Sequence, residues 1–341
     1  MPLFSKRLGV DLGTVNVLIW ENGQIVLQEP SLVALGPEED DRGRIPVIEI
    51  GQPAREMLGR VYEEDIQIVR PLQNGVIADY EVTEAMLSYY FGKIAGRIRL
   101  VRPTVMISVP WGVTSVEKRA VHEAAVAAGA REAFLIWEPL AAAIGAGLPV
   151  STPAGDMVVN IGGGITEAAV ISMNNIVRAE SGRVGGLKLD DAIISYVRRK
   201  YNLNIGQPMA EAIKIQIGAA TERVEPLSME IRGRDNVTGL PKTVTLHTGE
   251  VVEAMQEVLN AIAQVVKNVL SNTPPELASD IIDRGITLTG GGALLRGMDL
   301  FLTRETEVPV YRSENPMIAV ATGAGRALED PAILRRVTQA Y

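Results

Sequence analysis

Residues 156–180 read DMVVNIGGGITEAAVISMNNIVRAE, and the layout of this stretch decides the fold. An apolar run from Met157 to Ile161 is followed by three glycines, a second apolar run, the polar pair Asn174-Asn175 and a third strand-like segment. The pattern predicts strand, tight turn, strand, second turn, strand. Glycine weakens a strand that contains it, so Gly162, Gly163 and Gly164 belong in the turn, where something approaches the backbone closely. The same layout occurs at 7–29, RLGVDLGTVNVLIWENGQIVLQE, with the hairpin dipeptide Asn22-Gly23 as its second turn. Asp11 and Asn160 hold the same place in the two copies, at the end of the first strand.

The echo continues outward. TVMISVP (104–110) predicts a strand, a helix starts at about Ser115, AFLIW (133–137) is a strand and EPLAAAIGAG (138–147) a helix. In the second half GITLTGGG (285–292) is a strand and turn, ALLRGMDLFLTRET a helix, VPVYR a strand and NPMIAVATGAGRAL a helix. AAAIGAG and AVATGAG match in letters as well as in place. The expected class is therefore α/β, with two duplicated lobes facing each other across a cleft. The first lobe is assigned 1–30, 73–145 and 315–341, the second 146–180 and 248–314. Residues 31–72, which include the charged GPEEDDRGRIP, and residues 181–247 fall outside the repeat and read as one inserted subdomain per lobe, four subdomains in all.

Composition narrows the function. The 341 residues are 47% hydrophobic but only 4% aromatic, so Ile, Val, Leu and Ala must build the cores. A net charge of -8 argues against a general nucleic-acid binder. The absence of cysteine excludes disulfides, thiolate metal sites and cysteine nucleophiles. Two histidines, His122 and His247, are too few for a histidine-based metal centre.

Three glycine turns follow apolar strands: DLGTVN (11–16), NIGGGIT (160–166) and TGGGALL (289–295). Glycine lets backbone N–H groups converge on one anion with no Cβ in the way, and the hydroxyls of Thr14 and Thr166 add donors. A single such turn is no more than a tight hairpin. Three of them, two at equivalent places in a duplicated lobe, point to a phosphate-bearing ligand gripped from both sides. The pattern is neither a Walker loop, since no Gly-Lys-Ser/Thr occurs, nor a G-x-G-x-x-G that opens a crossover helix.

The stretches VDLGTVN, DYEVTEAML, EPLAAAIGAGLPV, IGGGITEAAVIS, AEAIKIQIG, TPPELASDIIDRGITLTGGGALLRGMD and GAGRAL together resemble the MreB family of bacterial actins over nearly the whole length. That family lies within the actin, sugar kinase and heat-shock chaperone ATPase superfamily. The resemblance implies ATP or ADP with Mg²⁺ between two ribonuclease H-like lobes. It also implies slow ATP hydrolysis, a homopolymer of paired protofilaments at the inner face of the cytoplasmic membrane, and cell-wall synthesis and rod-shape proteins as partners. By the same resemblance Asp11, Gly13, Thr14, Val15 and Asn16 meet the phosphates from one lobe, and Gly162, Gly163 and Gly164, with Gly186, from the other. Glu211, Ala212, Ile213 and Lys214 are expected to face the adenosine, and Gly290, Gly291, Gly292 and Ala293 the base and ribose. Glu138 opens a helix, where a carboxylate is electrostatically favoured; the resemblance implies that it orients the water attacking the γ-phosphate, with Thr166 assisting. Such hydrolysis depends on positioning and charge stabilisation.

Three departures stand out. The family has Asp where Asn160 stands, and usually Thr in place of Ile165 and Val17. Mg²⁺ on a nucleotide keeps several waters, so Asp11 and Asn160 are expected to meet it through water. Asn160 keeps an oxygen but loses a charge worth roughly 3 kcal/mol at ~5 Å and an effective dielectric near 20. The expectation is weaker Mg²⁺ binding or slower hydrolysis, with ATP binding and the fold retained.

No segment reaches the ~18 apolar residues that span a bilayer, and MPLFSKR lacks the apolar region of a signal peptide. The expected location is cytoplasmic and peripheral at the membrane. GRIRLVRP (96–103) resembles the family's lipid-contacting loop, with Leu100 and Val101 at its tip; Leu3 and Phe4 beside Lys6 and Arg7 are a second candidate contact, the alternative being a frayed terminus, which composition alone favours. One such side chain contributes roughly 1.5–3 kcal/mol and a basic residue about 1 kcal/mol, so a filament binds by avidity where a single subunit binds weakly. The alternative is a monomeric small-metabolite kinase of the same fold, with Asp79 as its acid. A chaperone ATPase would need a separate substrate-binding region.

Overall fold

The computed structural model describes residues 6–37, 45–61, 65–95 and 102–339. Strands β1 (Arg7–Leu12), β2 (Asn16–Glu21) and β3 (Gln24–Pro30) form the first meander. Its second turn is Asn22-Gly23, with φ of 49° and 89°, the left-handed geometry of a two-residue hairpin. The chain then builds a small sheet from β4 (Val33–Leu35), β5 (Val47–Ile50) and β6 (Gln67–Val69), with helix α1 (Gln52–Glu56) beside it. It returns through β7 (Leu72–Gln73), β8 (Val76–Ile77) and α2 (Tyr80–Ala95). Next come β9 (Thr104–Val109), α3 (Ser115–Ala127), β10 (Glu132–Trp137) and α4 (Glu138–Gly145). Among the described residues the first lobe's sheet runs β10-β9-β1-β2-β3, with β9 parallel to both its neighbours. β9 is buried at every position, as expected for a parallel strand covered on both faces.

The second meander is β11 (Asp156–Ile161), β12 (Thr166–Ser172) and β13 (Asn175–Gly182). Its second turn falls on Met173-Asn174, with φ of 54° and 58°, one residue earlier than expected. Ser172 pairs with Asn175, which leaves only the two residues between them for the turn. An inserted region follows: α5 (Gly186–Tyr201), β14 (Leu203–Asn204), α6 (Gln207–Ile217), β15 (Ser228–Asp235) and β16 (Pro241–His247). The chain ends with α7 (Thr248–Ser271), α8 (Pro275–Arg284), β17 (Ile286–Thr289), α9 (Met298–Thr306), β18 (Val310–Arg312), α10 (Ala319–Glu329) and α11 (Pro331–Gln339). The helix expected over ALLRGMDLFLTRET starts only at Met298, because Gly291–Leu294 form a 3-10 turn and Gly297 takes a φ of 70°. The second sheet runs β13-β12-β11-β17-β18, the same topology as the first. Among the described residues no helix is long and apolar enough to cross a membrane.

The three largest of the hydrophobic cores hold the molecule. One lies under the first sheet around Leu8, Val10, Ile19 and Ile107. A second packs Val159, Ile161 and Val170 against Ile193, Val197 and Ile213 of the insert, so that insert shares the core of its lobe. The third joins the lobes: Met106 and Ile136 from one side and Val158 and Ile171 from the other enclose α4 and α10. These two helices cross backbone to backbone. A Cβ on Gly145 would lie 1.8 Å from the Ala319 carbonyl oxygen, and one on Gly323 would lie 1.7 Å from that of Ala141. Ala141 and Gly145 in AAAIGAG correspond to Ala319 and Gly323 in AVATGAG, so the repeated letters meet each other about a local two-fold axis.

Candidate functional site

The two glycine turns interlock. Gly13 N–H donates to the Asn16 carbonyl at 3.1 Å and Gly162 N–H to that of Ile165 at 2.8 Å, closing each turn. A Cβ on Gly163 would fall 2.1 Å from Val15 Cγ2, and one on Gly164 would fall 2.6 Å from Thr14 Oγ1. The jaws come this close only because those positions carry no side chain. Ser31 Oγ donates to the Gly13 carbonyl at 2.6 Å, and Thr14 Oγ1 accepts from Gly75 N–H at 2.8 Å, which leaves the Thr14 proton free to donate.

Beside the jaws lies a cavity of about 440 Å³, within the range of small-molecule and cofactor sites. Asp11, Gly13, Thr14, Val15 and Asn16 line it from the first lobe, with Glu138. Asn160, Gly162, Gly163, Gly164 and Gly186 line it from the second. Glu211, Lys214, Gly290, Gly291 and Gly292 complete the wall. Gly290 has a φ of 81°, and a Cβ there would meet the Ile161 carbonyl oxygen at 2.4 Å. Lys214 Nζ bonds Asp190 at 2.8 Å and the Gly186 carbonyl at 3.0 Å. Burial pushes the Asp190 carboxyl up to about 6 against the pull of Lys214.

Four expected residues do not face the cavity. On α6 the helical period turns Glu211, Lys214 and Ile215 toward the cleft and Ile213 into the lobe core, while Ala212 lies off the wall. Ala293 is buried in the same core, inside the 3-10 turn that follows Gly290. Thr166 is fully buried, and its hydroxyl donates to the Val184 carbonyl at 2.8 Å, so it is spent on structure. Leu3, Phe4, Leu100 and Val101 lie outside the described residues. Asp79 caps α2 by accepting from Val82 N–H at 3.0 Å, which accounts for its carboxylate without a catalytic role.

At the cleft floor three carboxylates are drawn together. Burial pushes Asp11 up to about 7, with the Ser108 hydroxyl opposing. Burial, and then the charges of Glu167 and Asp11, raise Glu138 well above the usual carboxylate range. Burial pushes Glu167 up to about 8, against hydrogen bonds from Trp111 and Ser181. Asn160 is a linker among these groups: its Nδ2 donates to Glu138 Oε1 at 2.7 Å and its Oδ1 accepts from Thr289 Oγ1 at 3.1 Å. Both ends of the amide are engaged within the protein, and Asn160 still lines the cavity, where the second lone pair of its Oδ1 can meet a water. Among the described residues no cluster of three or more acidic or histidine side chains is arranged to hold a metal directly. The donor set fits a cation held by phosphates and waters beside Asp11, the usual habit of Mg²⁺ on a nucleotide.

Sequence reasoning missed four cleft residues. Glu167 was legible in principle, since counting back across the tight turn makes it the cross-strand partner of Asn160. Ile215 follows from the period of α6. Arg55 and Arg70 line the same cavity, and Arg55 Nη2 meets Glu211 Oε2 at 2.5 Å across its mouth. Among the described residues, Arg70 Nη1 is buried with no hydrogen-bond partner. Neither arginine has a local sequence signal, because the contacts join the two inserts.

Comparison with known proteins follows the same lines. The family model described as MreB/Mbl protein matches residues 5–336. The chain is 50% identical over 331 residues to the cell shape-determining protein MreB of Escherichia coli, covering 96% of this chain and 94% of that protein. It is 48% identical over 329 residues to the cell shape-determining protein Mbl of Bacillus cereus, covering 96% and 97%. The crystal structure of MreB5 of Spiroplasma citri bound to AMPPNP superposes with a TM-score of 0.89 at 35% identity over 100% of both chains. A MamK double helical filament, at 22% identity, a TM-score of 0.78 and coverage of 96% and 99%, shares the fold. One strand–turn–strand unit used twice, two glycine jaws meeting between actin-like lobes and a match along almost every residue place this chain in the MreB/Mbl family.

Proposed function

We propose that the chain binds ATP in the cleft between its lobes, hydrolyses it slowly with Mg²⁺ and polymerises into filaments. These filaments lie on the inner face of the cytoplasmic membrane and organise cell-wall synthesis and cell shape. The observation that carries the reading is the interlocked pair of glycine turns opening on one cavity. Support comes from the AMPPNP and ADP held by MreB5 of Spiroplasma citri, the cell-shape role in the relatives' names and the filament formed by MamK. Backbone N–H groups of the glycine turns and the Thr14 hydroxyl hold the phosphates, and the Glu138 carboxylate orients the water. Mg²⁺, when bound beside Asp11, supplies charge neutralisation at the phosphates. Membrane contact is assigned to Leu100 and Val101, with Leu3 and Phe4.

High-speed pelleting with ATP, ADP or no nucleotide, alongside phosphate release, tests this reading. ATP-dependent pelleting is expected, with Glu138→Ala lowering phosphate release by about ten-fold or more. Phosphate transfer to a small metabolite, with no pelleting under any nucleotide, salt or lipid condition, would establish the kinase instead. The double change Leu100→Ser, Val101→Ser should release filaments from anionic liposomes. Unchanged co-sedimentation of that variant, with the N-terminal residues also removed, would refute lipid contact through these residues.

A further inference from the structure

We propose that Glu167 is a positioning residue that sets Glu138 from the opposite lobe; the inference rests on the ATPase reading above. Glu167 is fully buried on β12, next to Thr166 and in register with Asn160. Its Oε1 accepts the Trp111 backbone N–H at 2.6 Å. Trp111 opens the connection from β9 to α3, so the bond runs from the second lobe to the first beneath the glycine jaws. The carboxyl oxygen gives the Trp111 N–H a partner at this partly buried place, where an unmet donor would cost about 1–3 kcal/mol.

The link continues through aromatic packing. The Trp111 and Trp137 rings lie 4.9 Å apart at 59°, a favoured tilted arrangement. Lys118 Nζ sits 4.1 Å from the Trp137 ring centroid, a cation–π contact on the same ring. Trp137 is the N-cap residue of α4 and makes no side-chain capping bond. Glu138 is the first residue of the helix and follows Trp137 directly, so a displacement of that ring is passed to Glu138 through one peptide unit. The route runs from the Gly162–Gly164 turn along β12 to Glu167, across the cleft floor to Trp111, through the ring pair to Trp137 and so to Glu138. A phosphate that shifts the second-lobe turn thereby shifts the candidate catalytic carboxylate. The two rings report the movement, since Trp20, the third tryptophan, is buried elsewhere.

The test measures ATP turnover, KM and tryptophan emission on adding ATP in the full chain for Glu167→Gln, Glu167→Leu and Trp111→Ala. Gln keeps an acceptor oxygen for the Trp111 N–H and should hold kcat within about three-fold of the parent. Glu167→Leu and Trp111→Ala should lower kcat about ten-fold or more, with KM changed less than about three-fold. Glu167→Leu should also blunt the emission response, while Trp111→Ala, which removes one of the two reporting rings, is read by kcat alone. Parent-like kcat and emission in Glu167→Leu, or equal losses in the Gln and Leu variants, would overturn the inference. If Glu167→Leu does not fold, Trp111→Ala decides, and an unchanged kcat there refutes the link. If the parent binds ATP but releases no phosphate, the ATPase reading fails by itself. The emission arm then decides the coupling, and a parent-like response in Glu167→Leu overturns it.

Discussion

At Asn160 a neutral amide does what an acid could not do without a counter-charge. It donates to Glu138 Oε1 at 2.7 Å and accepts from Thr289, so it relieves a floor already crowded with Asp11, Glu138 and Glu167. Asn160→Asp would place a fourth carboxyl there. In the nucleotide-free chain that substitution should lower stability by about 1–3 kcal/mol, since it takes the amide donor from the buried Glu138 and adds another buried carboxyl beside it. With ATP it should raise phosphate release and its Mg²⁺ dependence. Thermal melts and steady-state rates across a Mg²⁺ series check both, and equal rates with equal Mg²⁺ dependence would remove the role given to residue 160. Glu167 makes a separate prediction. Its folded carboxyl is pushed up to about 8 from an ordinary value of 4.5, so the folded chain holds that proton more tightly than the unfolded chain. The stabilisation is complete below the ordinary value and is lost as pH rises through the folded one. The nucleotide-free chain should therefore melt at a lower temperature at pH of about 8.5 than at about 6, and Glu167→Gln should flatten part of that slope. A slope untouched by the Gln variant would place the titration elsewhere.

Between elements, the glycines decide what can approach what. The α4–α10 crossing leaves no room for a methyl group at Gly145 or Gly323, where a rigid carbonyl oxygen would lie 1.8 or 1.7 Å from the new Cβ. Gly145→Ala and Gly323→Ala should each cost about 3 kcal/mol or more, since overpacked backbone cannot swing aside as a side chain can. By the local two-fold the two losses should be similar, and urea denaturation of both variants measures whether they are. Gly163→Ala acts on the clamp: its Cβ meets Val15 Cγ2 at 2.1 Å. It should weaken nucleotide binding about ten-fold, and Val15→Ala in the same chain should restore part of that loss. No recovery in the double variant would mean that the jaws do not interlock through these atoms. These cases mark what the sequence could carry. The meanders were legible because alternation and turn dipeptides such as Asn22-Gly23 are local signals. The repeat of AAAIGAG as AVATGAG was visible as letters, but not as two helices in contact. Thr166 was expected in the cleft and Glu167 overlooked because the register across the Gly162–Gly164 turn decides which of two adjacent residues shares a face with Asn160. Glu211–Lys214 reads as one unit in the sequence, although the helical period turns Lys214 to the cleft and Ile213 into the core.

Across the whole molecule the lobes are joined at three depths. The third core and the α4–α10 crossing form the deepest joint. Asn160–Glu138 and Trp111–Glu167 bind the floor, and Arg55–Glu211 spans the mouth between the two inserts. These depths differ in strength for a physical reason. The floor contacts are buried, whereas the Arg55 and Glu211 side chains keep 40% and 26% of their exposure, so solvent screens the pair and it contributes at most about 1 kcal/mol. A clasp of that strength scarcely affects folding but acts directly on how often the mouth opens. Arg55→Ala should therefore speed nucleotide release by up to about five-fold, the equivalent of ~1 kcal/mol. It should leave the melting temperature of the nucleotide-free chain within about 2 °C. Salt near 1 M, where the Debye length is about 3 Å, should speed release from the parent in the same way and have less effect on the variant. Stopped-flow displacement of a fluorescent ATP analogue measures all three rates. If neither the substitution nor salt changes release, opening is set by the deepest joint and the floor, and the mouth pair is only a surface contact.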